Sequence, residues 1–131
     1  MSNFDVFKKL NCPENVIQHC LAVSKNATLL AKKVKKLGIS NYIHIAGIVE
    51  QDILYGLIKN AIALCYPSLY EGFGFPPLEA MSLGVPVLAG KNSAIPEVVG
   101  NAACLVDPMS VDEISNGLFK IIFDNEYRQK L

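Results

Sequence analysis

Between residues 52 and 122 the hydrophobic period of the chain switches repeatedly between that of a helix and that of a strand. "DILYGLIKNA" (52–61) places Ile53, Leu57 and Ala61 on one helical face, and "IALCYPS" (62–68) is a continuous apolar strand stopped by Pro67. Pro76 and Pro77 stand where a helix begins, because its first turn has no use for their missing amide hydrogens. That helix would run through Leu78, Glu79, Ala80, Met81 and Leu83 and stop at Gly84. "VPVLAG" (85–90) reads as the next strand, "IPEVVG" (95–100) as a short helix and "AACLVD" (102–107) as a strand. Ser110 and Glu113 form a capping-box signature for a last helix through Ile114, Leu118, Ile121 and Ile122. "YIHIAGIV" (42–49), β-branched and closed by Gly47, adds a further strand before them. Such short strides require right-handed parallel crossovers, hence an α/β fold with a parallel sheet of about four strands and flanking helices. That is a partial Rossmann-like sheet, whose ligands bind at the carboxyl ends of the strands.

From Val16 the apolar residues Cys20, Val23, Ala27, Leu30, Val34 and Leu37 follow in steps of four and three, so the sheet is preceded by a long amphipathic helix ended by Gly38. Lys25, Lys32, Lys33, Lys35 and Lys36 fall on this helix and read as a solvated face rather than a binding patch. The division expected is therefore a helical segment, 1–37, and a sheet domain, 38–131.

With 131 residues the chain fits one domain, and 12 basic against 12 acidic residues give no general electrostatic case for nucleic acid or a membrane surface. No apolar run reaches the roughly 18 residues of a membrane span. Cys12, Cys20, Cys65 and Cys104 form no C-x-x-C pair, and Cys65 and Cys104 sit in strand-like runs. Buried, reduced thiols in a cytoplasmic protein fit this pattern.

Glu71 and Glu79 bracket seven residues, "GFGFPPL", made of Gly, Phe, Pro and Leu. The loop lies between a strand's carboxyl end and a helix's amino end, where the amides of Phe73, Gly74 and Phe75 would face a ligand. Gly72 and Gly74 would let the main chain approach that ligand closely. Carboxylates accept hydrogen bonds from hydroxyls, whereas a bare phosphate cradle has no need of them. A ligand with phosphate and polyol character, a nucleotide sugar, fits both. The other reading is a first-turn charge for Glu79 and a solvent-facing loop charge for Glu71, and spacing alone leaves both open. Two carboxylates also suggest a glycosidase pair, against which stand the Gly-Phe loop and the parallel-sheet pattern.

The stretch "PSLYEGFGFPPLEAMSLGVPVLAGKNSAIPEVVGNAACLVDP" closely resembles the donor-binding core of the retaining, nucleotide-sugar-dependent glycosyl transferase group 1 family, especially its mannosyltransferase-like members. The resemblance covers about residues 38–131 and rests on the Glu, seven residues, Glu motif, the "EAM" helix, the "GVPV" strand and the "PEVVG" turn. It implies the carboxyl-terminal half of a GT-B fold, two Rossmann-like domains facing a cleft. It also implies that Glu71 serves catalysis by holding donor-sugar hydroxyls, that Glu79 takes the ribose hydroxyls, and that Gly72, Phe73, Gly74 and Phe75 meet the sugar and diphosphate. Ile48 and Val49 match the loop near the nucleobase. The implied reaction transfers a mannose- or glucose-type hexosyl group from a UDP- or GDP-sugar to an acceptor hydroxyl with retention, with no metal and no cofactor besides the donor.

The Arg and Lys that such enzymes bring to the diphosphate have no counterpart before residue 38. Charge-assisted bonds contribute about 1.5 to 3 kcal/mol each, so losing two would weaken donor binding by roughly 10² to 10⁴. The expectation is thus a fragment, a truncated product or a chimera that works with a missing amino-terminal domain or partner chain. A non-catalytic half-Rossmann module is the alternative, its uncovered strand edge inviting a homo-oligomer. Residues 1–37 are similar to the opening helix of HD-domain phosphohydrolases, where the residue matching His19 is a metal ligand. No His-Asp dipeptide accompanies it here, so no metal is expected.

Overall fold

The computed structural model describes residues 31–44 and 46–131 of a chain that divides into two compact units, Met1–Ile48 and Val49–Leu131. In the first unit residues 31–36 are helical, with Val34 buried and Lys32, Lys33, Lys35 and Lys36 exposed. Gly38, at φ +70°, ends this helix by donating its N–H to the Lys35 carbonyl at 3.2 Å, while the Ile39 N–H reaches Val34 at 3.3 Å. This is the paired stop that a left-handed residue after the last turn makes. The earlier stripe from Val16, with His19, Cys12, Cys20 and Lys25, lies outside the described residues.

The described part of 42–49 is not a strand, contrary to the expectation from its β-branched pattern. Instead Ser40–Tyr42 form a 3₁₀ turn, in which the Tyr42 N–H bonds the Ile39 carbonyl at 3.0 Å. A β-branched run suits a pleated surface but becomes a strand only when a neighbouring ladder takes its amides and carbonyls. His44 therefore sits in irregular, exposed chain.

In the second unit the order is α1 (Gln51–Lys59), β1 (Leu64–Tyr66), α2 (Phe75–Ser82), β2 (Val87–Gly90), α3 (Ile95–Val99), β3 (Cys104–Val106), α4 (Val111–Phe123) and α5 (Asn125–Arg128). The strands pair in parallel in the order β1-β2-β3, with Leu88 opposite both Cys65 and Cys104. The α/β class thus stands, with three strands among the described residues in place of about four.

All four residues of β2 are buried, as a central parallel strand requires. Alternation along it builds two cores. Val87 and Ala89 pack with Ile58, Ala80, Ile95 and Val99 on one face, and Leu88 packs with Cys104, Val106 and Ile121 on the other. Helix α4 lies over β2 and β3 but leaves the corresponding side of β1 open, so Cys65 is exposed while Cys104 is buried. The expectation that both strand cysteines are buried is corrected at Cys65 for that reason.

Helix α1 turns Ile58 inward but exposes Ile53, Leu54 and Leu57. On α4, Phe119 and Phe123 stack at 4.7 Å between ring centroids yet remain 64% and 69% exposed. Ser110 caps α4 by accepting the Glu113 N–H at 3.2 Å, but the reciprocal half of the capping box is not made. Glu113 instead accepts the Asp107 N–H at 2.8 Å and pairs with Lys91 at 3.1 Å, joining the ends of β2 and β3 to α4.

The Asp107 amide first, and the Lys91 ammonium second, hold the Glu113 carboxyl below its ordinary range. A depressed folded value stabilises the fold above the ordinary glutamate range, and that contribution fades as pH falls through the folded value. Glu113→Gln should therefore flatten the acid side of a plot of melting temperature against pH. An acid limb identical to that of the wild type would refute the assignment.

Candidate functional site

The loop between β1 and α2, residues 67–74, leaves the carboxyl end of β1, and the turn 91–94 leaves the carboxyl end of the adjacent β2. Parallel pairing brings the two connections to one end of the sheet, the end at which open α/β sheets hold ligands.

Helix α2 starts at Phe75 after Gly74, whose φ of +93° is open to glycine at little cost. Gly74 is buried, and a Cβ there would overlap the Ile95 side chain of α3. Helix amino ends ordinarily leave four amides without partners. Here Pro76 and Pro77 remove two of them, so Gly74 and Phe75 carry the donors of this end. Among the described residues the amides of Gly72, Phe73, Gly74 and Phe75 have no hydrogen-bond acceptor. The Phe73 and Phe75 rings, both exposed, pack against each other at 4.9 Å between centroids.

Glu71 is half-buried and anchored through one oxygen. The Tyr66 hydroxyl donates to Oε1 at 2.5 Å and the Ser68 hydroxyl to the same atom at 2.8 Å. Ser68 also lies 3.3 Å from the Tyr70 carbonyl, but its single proton goes to the closer, charged acceptor. Burial and then the bond to Glu71 push the Tyr66 phenol up to about 12, so it stays a donor at neutral pH. The Glu71 main chain is held as well. Ser93, from the turn after β2, accepts the Glu71 N–H at 3.2 Å and donates to the Glu71 carbonyl at 2.6 Å.

The neighbouring Asn92 amide donates to the Leu69 carbonyl. This closeness depends on Gly90, where a Cβ would stand 2.5 Å from Asn92 Oδ1 and 2.6 Å from the Ser68 carbonyl oxygen.

The loop therefore brings Glu71, Gly72, Phe73, Gly74 and Phe75 together, while Glu79 follows one turn into α2 as its fifth residue. That position corrects the reading of Glu79 as a first-turn charge. It is half-buried, and among the described residues its carboxylate has no hydrogen-bond partner. Ile48 closes the first unit and Val49 opens the second, the former exposed and the latter half-buried. Tyr66, Ser68, Asn92 and Ser93 were not anticipated from the sequence. Ser68 and Tyr66, near the end of an apolar strand and upstream of Glu71, offered the nearest signal.

A separate cavity of about 550 Å³, lined by Ala61, Met81, Pro86 and Arg128, opens toward the amino ends of the strands, away from this loop. Arg128 there donates to the Ile122 carbonyl at 3.3 Å and so closes the carboxyl end of α4. Among the described residues no group of three or more His, Cys, Asp or Glu side chains is placed to hold a metal, and no helix is long and apolar enough to cross a membrane.

The family model described as "Glycosyl transferases group 1" matches residues 5–131. The match begins well before residue 38 and so takes in the amphipathic stripe that the sequence reading set apart from the family. The chain is 40% identical over 94 residues to an "MMP alpha-(1->4)-mannosyltransferase" of Mycolicibacterium hassiacum, covering 70% of this chain and 23% of that protein. It is 43% identical over 88 residues to an "O-antigen chain mannosyltransferase B" of Escherichia coli, covering 67% and 23%. It thus spans about a quarter of the length of these relatives. Among solved structures, a sucrose-phosphate synthase from Thermosynechococcus elongatus matches with a TM-score of 0.70 at 22% identity, over 77% of this chain and 26% of that one, a likeness of fold.

Proposed function

Because this chain belongs to the glycosyl transferases group 1 family, we propose that it carries part of the donor site of a retaining hexosyltransferase that uses a nucleotide-diphosphate sugar in the cytoplasm. The observation that carries this reading is Glu71, anchored through Oε1 beside four amides that have no acceptor among the described residues. A carboxylate held this way suits a sugar hydroxyl, and the amides of Gly74 and Phe75 suit the diphosphate, which a helix amino end favours by about 0.3 to 1 kcal/mol. Glu79, without a partner among the described residues, is assigned to the ribose hydroxyls. The mannosyltransferase names of the two relatives support a mannose-type donor, with GDP as the first base to try. In the transfer, the bond between the anomeric carbon and the diphosphate oxygen breaks, and the acceptor oxygen bonds that carbon and passes its proton to the departing diphosphate. Catalysis rests on positioning and on stabilising the departing diphosphate. The Arg and Lys expected at the diphosphate would be supplied from outside this loop.

The test is an amide NMR titration of this chain with GDP, UDP, GDP-mannose and UDP-glucose to several millimolar. Shifts concentrated in residues 71–79 support the reading and identify the base. Glu79→Ala should then lose the nucleotide-dependent shifts, with a melting temperature within a few degrees of the wild type. A folded spectrum that ignores all four compounds overturns it. A non-catalytic module is the second reading, favoured by the exposed apolar faces of α1 and α4.

A further inference from the structure

Glu71 meets three hydroxyl groups, one from the last residue of β1 and one from each of the two connections that follow β1 and β2. Tyr66 and Ser68 both donate to Oε1, and Ser93 closes a ring with the N–H and carbonyl of the Glu71 backbone. Ser93 does so at φ +58°, a left-handed conformation uncommon outside glycine, asparagine and aspartate. Non-glycine residues in such conformations persist when their surroundings over-determine them. Here two hydrogen bonds to a residue 22 positions away supply that determination. With Oε1 occupied by two donors, Oε2 has no partner among the described residues.

We propose that Tyr66 and Ser93 are positioning residues that act through Glu71, leaving its carboxylate one open oxygen, Oε2, for a single hydroxyl of the donor sugar. The proposal rests on the nucleotide-sugar reading above. Tyr66 fixes the carboxylate plane and Ser93 fixes the backbone that carries it. A carboxylate already held needs no further ordering when the sugar arrives. Since immobilising a free side chain weakens binding by between about two- and tenfold, that is the advantage the clamp gives the sugar over the bare nucleotide. An oxygen that accepts one hydroxyl also discriminates by the position of that hydroxyl on the ring.

Two measurements on the full chain test this. The first needs no ligand. The Tyr66 Cζ resonance, which moves downfield when a phenol donates to a carboxylate, should move upfield in Glu71→Ala, and an unmoved resonance would overturn the clamp. The second compares Kd for GDP with Kd for GDP-mannose. Tyr66→Phe and Ser93→Gly should each cut the gain from the sugar by about two- to tenfold and leave Kd for GDP unchanged. Glycine accepts φ +58° without strain, so Ser93→Gly removes the hydroxyl while sparing the turn. If both Kd values weaken together, or neither moves, Tyr66 and Ser93 merely fasten the loops and the proposal is wrong. A wild type that binds neither compound overturns the nucleotide-sugar reading and the sugar half of this proposal with it, and the Cζ shift alone then decides whether the clamp exists.

Discussion

Gly74→Ala should damage stability and ligand binding together. A side chain at φ +93° pays roughly 1 to 2 kcal/mol for the left-handed backbone. Its Cβ also overlaps Cδ1 of the fully buried Ile95, and overpacking of that kind adds about 1 to 3 kcal/mol. The combined loss of about 2 to 5 kcal/mol would be read in a urea or thermal melt. A left-handed residue with a side chain at the start of α2 relaxes by tilting the first turn, which re-aims the Gly74 and Phe75 amides. Nucleotide-dependent shifts should therefore vanish even under conditions where the variant remains folded. Gly72→Ala is the control, because its Cβ would project into open space and its melt should match that of the wild type. Equal melting of the two variants would refute the account.

Leu88→Ala should cost about 2 to 5 kcal/mol, the range for emptying a buried leucine site. Leu88 has no exposed surface and stands in the middle strand, under α4 and between Cys104 and Ile121. The walls around it are strand backbone and a helix, which collapse poorly into a void, so the upper part of the range is expected. In a unit this small the melting midpoint should drop by at least about 8 °C, taking the low end of the range at about 4 °C per kcal/mol. Phe119→Ala, a larger truncation at an exposed position of α4, should stay within about 0.5 kcal/mol of the wild type. Comparable losses in both variants would mean that the exposed face of α4 is covered in solution.

The elements were legible where one local rule decided them. Pro76 and Pro77 marked the start of α2, Gly38 the end of the first helix, and Ser110 the cap of α4. The segment 42–49 misled because β-branching reports what a residue tolerates, whereas a strand exists only through a partner that local sequence does not show. The capping box was half right for a similar reason. Glu113 had the correct spacing to reach back to Ser110, but Lys91 and the Asp107 amide offered its carboxylate a competing arrangement. At the site, Glu71 and the Gly-Phe loop were found through contiguous residues and a family resemblance. Ser93 and Asn92 escaped because their bonds to Glu71 and Leu69 cross 22 and 23 positions, and such bonds have no period.

The uneven covering of the second unit has a practical side. Its middle strand is sealed on both faces, while Ile53 and Leu57 on α1 and Phe119 and Phe123 on α4 meet water. A molecule with a closed interior and two greasy flanks keeps its shape on dilution yet adheres to its own kind as it is concentrated. With a formal net charge of zero it has no long-range repulsion to oppose that. Its colloidal behaviour should therefore depend on how much of it is in the tube well before its fold does.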